Sequence, residues 1–203
     1  MVASTLATGR AKPNCIGGAL PGVGLQLRDT AAGADHPADG ESDHLEGPGE
    51  IWIRGPNLFS GYWPDGADGP GDDGWLGTGD LAYRDGDGDL HLVDRRSDLI
   101  LVSGFNVYPA EVERVLDTHP AVSESAVIGV PDPRTGSAVR AVVVVAPGQE
   151  LTFEELQAHA AGQLARYKVP TSVNFLAALP HSLTGKVSRA RLRELGLPGD
   201  DDD

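Results

Sequence analysis

The chain has 203 residues, a single Cys and a formal net charge of −14, and its length suits one or two domains with cores of their own. One Cys excludes disulfide scaffolds and Cys-based zinc sites, and the acidic balance excludes the basic face of a nucleic-acid-binding protein. The longest apolar run, residues 141–146, is too short to cross a bilayer, and the N-terminus lacks the basic and apolar regions of a signal peptide. We therefore expect a cytoplasmic protein with no transmembrane segment and no nucleic-acid partner.

Residues 1–95 are predicted to form an all-β subdomain with frequent turns, arranged as a small barrel or sandwich. Apolar residues in short alternating or continuous runs indicate strands at 16–19, 23–27, 50–54, 81–83 and 90–93. The last two strands flank Asp85-Gly-Asp-Gly-Asp89, which is typical of a hairpin turn. Residues 29–48 are rich in Asp, Gly, Pro and Ala and are predicted to be a surface loop.

The second half of the chain mixes strands with helices. Strands are predicted at 99–102, 125–130, 139–145 and 173–176. Pro109 is expected to open a helix, because the first helical position does not need the N–H that Pro lacks. The pattern from Thr152 to Glu155 is that of a capping box and predicts a second helix, and Ser188 is expected to cap a third.

These patterns divide the chain into three segments, and the whole is predicted to be of the α+β class. Residues 1–95 form the β-rich subdomain, and the change of pattern at 94–98 marks the boundary. Residues 96–195 form a small α+β domain. The acidic residues 196–203 are expected to be a disordered, solvated tail.

Several segments resemble calcium, phosphate or metal sites but lack the residues or the spacing that such sites require. Asp85–Asp89 resembles the start of a calcium loop, but Leu90 and Arg96 stand where an EF-hand requires Gly and Glu. Residues 182–187 resemble the end of a phosphate-binding loop, but the first Gly and the Ser or Thr after the Lys are absent. The six His residues show no metal-ligand spacing, so no metal site is predicted.

Two residues have a chemical interpretation beside a structural one. Asp80, in Thr78-Gly79-Asp80, has the carboxylate needed to accept two hydrogen bonds from a sugar diol, or it caps its own turn. Lys186 follows Gly185 in a predicted loop, where a mobile cation suits a phosphate or carboxylate, or it is a solvated surface side chain. Taken singly, the structural interpretation is favoured for each.

Six segments that occur in a fixed order favour the chemical interpretation of both residues. They are Gly49–Gly55, Ser60–Tyr62, Asp73–Leu81, Val93–Ile100, Val102–Glu113 and Pro180–Val187. Together they resemble the AMP-forming adenylate superfamily, and specifically its fatty-acyl-CoA ligases. The resemblance runs from about Lys12 to Leu195. The form Val-Ser-Gly-Phe-Asn-Val-Tyr-Pro at 102–109 is similar to acyl-CoA ligases rather than to the amino-acid-activating domains of peptide synthetases.

The resemblance implies roles in nucleotide binding and in the first reaction step. Asp80 matches the acid that binds the ribose hydroxyls of ATP and of the acyl-adenylate, with Thr78 in the same ATP/AMP-binding segment. Arg95 matches a second contact to the adenylate. Lys186 matches the catalytic Lys of adenylation, whose cation bridges the carboxylate and the α-phosphate as charge develops.

The resemblance also implies a moving domain and a thioester-forming state. Ser97 falls at the family's domain hinge, where Asp or Lys is more usual. Ser103, Gly104 and Phe105 match the loop that approaches the channel for the pantetheine arm of CoA. Residues 96–195 then correspond to the mobile C-terminal domain, and residues 1–95 to the last subdomain of the large AMP-binding domain.

The family implies an acid–thiol ligase that uses ATP, CoA and a carboxylic acid such as a fatty acid, with Mg²⁺ accompanying ATP but no Mg²⁺ ligand in this chain. Family members carry several hundred further residues, with the phosphate loop and acyl pocket, before this region. The expectation is therefore a ligase fragment truncated at its N-terminus and inactive in isolation. The alternatives are a non-catalytic or split-enzyme module that complements a separately encoded N-terminal domain, and an adenylation domain that loads a carrier protein.

Overall fold

The computed structural model describes residues 3–5, 12, 15–29 and 47–197. The chain divides into two compact units, residues 1–97 and residues 98–203. Residues 30–46 of the predicted surface loop and residues 198–203 of the predicted acidic tail lie outside the described residues. None of the helices described is long and apolar enough to cross a membrane.

The first unit is built on an antiparallel meander of four strands. Its strands, in the order in which they pair, are β3 (Gly24–Arg28), β4 (Gly49–Arg54), β5 (Leu76–Arg84) and β6 (Leu90–Arg95). A two-stranded pair, β1 (Ala3–Ser4) and β2 (Gly18–Ala19), precedes them. One face of the sheet buries a cluster of Ile51, Ile53, Ala82 and Leu90.

The predicted barrel-like closure of this unit is not confirmed. Within the described residues β3 and β6 do not pair with one another, and the sheet is open. A closed barrel needs about eight strands for its interior to be just wide enough to hold side chains. A sheet of four strands is too small to close around a core of side chains. The apolar face is covered by side chains packed from the same unit, among them Ile16 and Leu58.

Arginine and tryptophan side chains stack beside this sheet. The Arg28 guanidinium lies 4.1 Å from the ring centre of Trp52 and 5.3 Å from that of Trp75. The Arg54 guanidinium lies 4.9 Å from the Trp75 ring. Arg28 thus contacts both rings, and the Trp75 ring contacts two cations. Each cation–ring attraction is worth roughly 0.5–2 kcal/mol.

The second unit confirms the α+β class. Its strands are β7 (Ile100–Val102), β8 (Phe105–Val107), β9 (Val122–Asp132), β10 (Gly136–Val145) and β11 (Ser172–Phe175). Its described helices are α1 (Pro109–Leu116), α2 (Phe153–Ala161) and α3 (Arg189–Glu194), with a short 3₁₀ turn at Arg166–Lys168. Another 3₁₀ turn, Arg96–Asp98, spans the boundary between the two units. The main sheet has the order β11-β10-β9, antiparallel between β9 and β10 and parallel between β10 and β11, while β7 and β8 form a hairpin.

The helix starts follow from local chemistry. Pro109 is the first residue of α1. The Glu155 N–H donates to Thr152 Oγ1 at 3.3 Å, and the Thr152 N–H donates back to Glu155 Oε2 at 2.9 Å, which completes the capping box of α2. These bonds from Thr152 to the carboxylate lower the pKa of Glu155. Ser188 accepts a bond from the Arg191 N–H at the start of α3.

The long strands β9 and β10 are buried on both faces. On one face, Val127 and Val143 pack in a cluster with residues of α1 and α2, including Leu116 and Leu156. On the other face, Ala126, Ile128 and Val142 pack with Leu192 of α3. Burial on both sides explains the nearly continuous apolar run of β10, because neither face of the strand is left for polar side chains.

We expect the Leu156→Ala variant to lower the free energy of unfolding of the second unit by about 2–5 kcal/mol, because it leaves a cavity beneath α2. Leu156 is 1% exposed, whereas Leu183 is fully exposed, so Leu183→Ala serves as the matched control. Urea unfolding followed by far-UV circular dichroism measures both. Equal effects of the two variants would contradict the packing described for α2.

Candidate functional site

Thr78, Gly79 and Asp80 lie on a bulge inside β5. Glu50 of β4 pairs with Leu81, and Trp52 pairs with Gly77. Between these pairs β4 contributes one residue and β5 contributes residues 78–80. The sequence had placed this segment before a strand that begins near residue 81, but β5 begins at Leu76. A bulge breaks the ladder locally and redirects the side chains that it carries.

Side chains replace the backbone bonds that the bulge removes. Thr78 Oγ1 donates to the Ile51 carbonyl at 2.9 Å and accepts from the Asp80 N–H at 3.1 Å. The Gly79 N–H donates to Glu50 Oε1 at 3.1 Å. Gly79 has φ +71°, a left-handed conformation that favours glycine over any residue with a Cβ. The three-residue segment is therefore held by its own chemistry.

The bulge brings two of the predicted site residues together. Asp80 is paired with Arg95 across β5 and β6, and Arg95 Nε lies 3.1 Å from Asp80 Oδ1. The Asp80 side chain is 33% exposed and that of Arg95 is 66% exposed. An ion pair this exposed adds little stability, and it leaves carboxylate lone pairs open to solvent. The carboxylate thus pairs with a side chain on the next strand and does not cap its own turn.

Lys186 lies on a small exposed loop whose base is closed by hydrogen bonds. His181 and Val187 form an antiparallel bridge, and the Ser182 N–H donates to the Lys186 carbonyl at 2.8 Å. The loop turns at Gly185, which has φ +79°. His181 Nε2 lies 2.8 Å from Glu124 Oε1, which ties the base of the loop to β9.

The three lysines of the chain differ in their surroundings. Lys12 Nζ lies 2.7 Å from carboxylate oxygens of both Asp85 and Asp87, which raises the pKa of Lys12 and lowers that of Asp85. Lys168 Nζ lies 2.6 Å from Glu111 Oε2. For Lys186, which is exposed, no carboxylate of the described residues lies within ion-pairing distance. Its cation is therefore available to an external anion.

Ser103 and Gly104 form the tight turn between β7 and β8, and Phe105 is the first residue of β8. Ser103 and Gly104 both have left-handed backbones, with φ +50° and +85°, and the Ser103 N–H donates to the Thr135 carbonyl at 2.8 Å. Phe105 is 57% exposed and stacks on Tyr167 with ring centres 4.9 Å apart. The sequence predictions did not include β8, because a strand of three residues after such a turn has too few positions for a period to be read.

Ser97 is exposed and lies within the 3₁₀ turn of residues 96–98. It is also the last residue of the first compact unit. The boundary predicted from the sequence, between residues 95 and 96, lies two residues earlier on the chain than the boundary of the compact units.

Sequence reasoning missed a buried carboxylate beside the bulge. Glu50 is 6% exposed, and its Oε2 accepts from Arg96 Nη1 at 3.0 Å. The signal was present as a charged residue inside the apolar run of β4, but only the pairing with β5 reveals its partners. Among the described residues, no group of His, Cys, Asp or Glu is arranged to hold a metal ion.

Comparison with known proteins gives a consistent result. Residues 111–186 match the family of the AMP-binding enzyme C-terminal domain. The long-chain-fatty-acid–CoA ligase of Yersinia pestis is 49% identical over 181 residues, which cover 88% of this chain and 31% of that ligase. Feruloyl-CoA synthase of an Amycolatopsis species is 48% identical over 147 residues, which cover 71% of this chain and 30% of that synthase.

The crystal structure of ATP-bound MatB from Rhodopseudomonas palustris superimposes with a TM-score of 0.79 at 39% identity, covering 92% of this chain and 36% of that protein. The chain thus spans about a third of the length of the relatives that it matches.

We expect Thr78→Val to destabilise the first unit by about 1–2 kcal/mol, since it removes the hydroxyl that bonds Ile51 and Asp80 while keeping the shape of the side chain. Thr78→Ser keeps the hydroxyl and is expected to stay close to the parent. Urea unfolding of both variants, followed by tryptophan fluorescence, measures the difference. A Val variant as stable as the Ser variant would show that the bulge does not depend on this side chain.

Proposed function

Because this chain belongs to the AMP-binding enzymes and carries their C-terminal domain at residues 111–186, we propose that it is part of a CoA ligase that activates a carboxylic acid with ATP. In the first step the carboxylate attacks the α-phosphate, which gives an acyl-adenylate and releases pyrophosphate. In the second step the thiol of CoA attacks the acyl carbon and AMP leaves. The observation that carries the proposal is the bulge that presents Asp80 beside Arg95.

Asp80 is proposed to bind the ribose of ATP and of the adenylate. A carboxylate accepts hydrogen bonds from both hydroxyls of a ribose diol, as acidic residues do in other nucleotide sites. Arg95, paired with Asp80 at 3.1 Å, is proposed as a second contact to the adenylate. Thr78 acts through the backbone of the bulge, because its hydroxyl is already used by Ile51 and Asp80.

Lys186 is proposed as the catalytic residue of adenylation. Its ammonium group is a compact charge on a flexible stem, and it is carried by an exposed loop. Placed where the carboxylate and α-phosphate oxygens meet, this cation stabilises the charge that develops as the new P–O bond forms. Hydrogen bonds hold the base and the turn of this loop, including one from the Gly185 N–H to the Ser182 carbonyl at 2.9 Å. The Lys186 residue itself is exposed, which suits a cation that leaves the site after the first step.

The thioester step is proposed to use the other end of the second unit. The segment of Ser103, Gly104 and Phe105 is proposed to border the path of the pantetheine arm, and Ser97 to be the pivot between the two steps. Rotation about such a connection exchanges one set of active-site groups for another. Mg²⁺ is proposed to enter with ATP, and no residues described here form a site for it.

The remaining parts of the proposal concern the rest of the ligase. The relatives' other two thirds are proposed to supply the phosphate contacts and the acyl pocket, either in one polypeptide with this region or in trans. We propose a fatty acid as the acid and the cytoplasm, where ATP and CoA are present, as the location. CoA is proposed as the acceptor, with a carrier protein as the alternative to be tested beside it.

The role of Asp80 is tested by titrating the 203-residue chain with AMP and with 2′-deoxy-AMP, followed by NMR. We expect the parent to prefer AMP by about tenfold, because a charge-assisted hydrogen bond to the 2′-hydroxyl is worth more than 1 kcal/mol. In Asp80→Asn we expect that preference to fall to near unity. A variant that discriminates as well as the parent would remove Asp80 from the ribose site.

The role of Lys186 is tested in a chimaera in which this chain replaces the matching region of the Yersinia pestis ligase. We expect Lys186→Ala to slow acyl-adenylate formation by about 10²–10³, as for the loss of one preorganised electrostatic contact. Thioester formation from supplied acyl-adenylate and CoA is expected to stay within about threefold of the parent, since Lys186 has then left the site. ATP–pyrophosphate exchange and thioester assays measure the two steps.

The opposite pattern is expected for Gly104→Leu, which keeps the first step and blocks the second by bulk at the turn. Leu183 is an exposed residue of the Lys186 loop, so Leu183→Ala is the matched control. This variant is expected to leave both steps unchanged. Equal losses in both steps for Lys186→Ala, or no loss in either, would overturn the assignment. Replacing CoA by a carrier protein in the second assay decides the acceptor.

A further inference from the structure

We propose that Glu50 is a positioning residue that sets the ribose-binding bulge and fixes the end of the first unit through one carboxylate. The effect of Glu50 on nucleotide binding rests on the function proposed above. The contacts of the Glu50 carboxylate do not depend on that function. Among the described residues, the Glu50 carboxylate bonds to the Gly79 N–H and to Arg96, and not to the side chains of Asp80 or Arg95. It acts through Gly79 on one side and through Arg96 on the other.

The Glu50 carboxylate is buried in the first unit. Glu50 is 6% exposed, and a buried carboxylate is costly unless it is paired and hydrogen-bonded. Its two oxygens point to different segments of the chain: Oε1 accepts from the Gly79 N–H at 3.1 Å, and Oε2 accepts from Arg96 Nη1 at 3.0 Å. One carboxylate therefore links the bulge of β5 to the residue that follows β6.

The Glu50 carboxylate occupies a narrow space beside Gly77 and the Trp52 ring. A Cβ at Gly77 would lie 2.9 Å from Glu50 Oε1 and 3.1 Å from the Trp52 ring. Contacts this short force a neighbour to move, so the absence of a side chain at Gly77 is what admits the carboxylate. Strand β5 therefore does two things: its bulge is held by the Glu50 carboxylate, and its Gly77 leaves the space that this carboxylate occupies.

Two consecutive arginines at the end of the first unit each pair with a carboxylate. Arg95 is held by Asp80 at 3.1 Å and Arg96 by Glu50 at 3.0 Å. The first unit ends at the next residue, Ser97. A pivot at Ser97 therefore starts from a residue that is fixed to the body of the first unit. We infer that the Glu50–Arg96 pair defines where rotation begins and keeps it from spreading into β6.

The test uses the full 203-residue chain with Glu50→Ala, Glu50→Gln and, as a matched control, Glu150→Gln, because Glu150 is exposed. Gln keeps an oxygen that accepts from the Gly79 N–H but loses the charge that holds Arg96. Three quantities are measured by NMR: the hydrogen-exchange rate of the Gly79 amide, the order of the Arg96 Nε–Hε bond from ¹⁵N relaxation, and the affinity for AMP.

We expect Glu50→Ala to speed Gly79 exchange about tenfold and to weaken AMP binding about tenfold, since the bulge loses its buried acceptor. In Glu50→Gln we expect Gly79 exchange and AMP affinity near the parent values, and a disordered Arg96 side chain. If Glu50 contributed only to general stability, Glu50→Gln would not change the order of the Arg96 side chain while leaving Gly79 exchange unchanged. The control is expected to leave all three quantities unchanged.

Unchanged Gly79 exchange in Glu50→Ala, or an Arg96 side chain as ordered in Glu50→Gln as in the parent, would overturn the inference. If Glu50→Ala abolishes folding, the Glu50→Gln variant still tests the inference. The distinguishing result is that Gly79 exchange stays at the parent value while the Arg96 side chain becomes disordered. If the parent fails to bind AMP while the exchange and relaxation results are as expected, the nucleotide role proposed above fails and the positioning role of Glu50 is supported.

Discussion

The hydrogen bond from the Gly79 N–H to the buried carboxylate of Glu50 is the constraint on which the rest of the candidate nucleotide site depends. A strand cannot leave its ladder inside a sheet unless its freed backbone groups find other partners. Glu50 supplies one acceptor, and the Thr78 hydroxyl serves as both donor and acceptor for the two neighbouring groups. With those partners in place, β5 carries Asp80 to the position opposite Arg95.

The second unit depends on a comparable polar anchor of its own. Arg189 at the start of α3 donates to both carboxylate oxygens of Glu113 on α1, and its Nη1 lies 3.2 Å from Asp98 Oδ2. Glu113 Oε1 also accepts from the Val127 N–H of β9 at 2.8 Å. These contacts join a helix on each face of the sheet to the first residue of the unit. The loop of Lys186, which directly precedes α3, thereby stands on a fixed base while its tip stays exposed.

The sequence predicted the features that local chemistry decides. The starts of the three helices follow from Pro109, the capping box of Thr152 and the hydroxyl of Ser188, each of which acts within one turn of its own chain. The long strands β9 and β10 were found because apolar runs of that length need no knowledge of their partners. The prediction of an α+β chain rests on these elements. The roles proposed for Asp80 and Lys186 came from the ordered motifs and stay predictions, since the chemistry of either residue alone favoured a structural interpretation.

Pairings between distant segments could not be predicted in this way. The sequence placed Thr78, Gly79 and Asp80 before a strand, whereas all three lie inside β5. Their bulge depends on a hydrogen bond to Glu50, which is 29 residues away from Gly79. The open sheet of the first unit likewise depends on which strands meet at its edges.

The stacked arginines and tryptophans of the first unit have a practical consequence for optical measurements. The chain has three tryptophans, and two of them, Trp52 and Trp75, lie beside guanidinium groups close to the bulge. The Trp52 ring lies against the backbone of Gly77, one residue before the segment that carries Asp80. The third, Trp63, is 93% exposed and emits as a solvated indole. Replacing Trp63 with Phe would leave an emission spectrum that comes only from the two rings next to the bulge, so the protein contains its own fluorescent reporter of that segment.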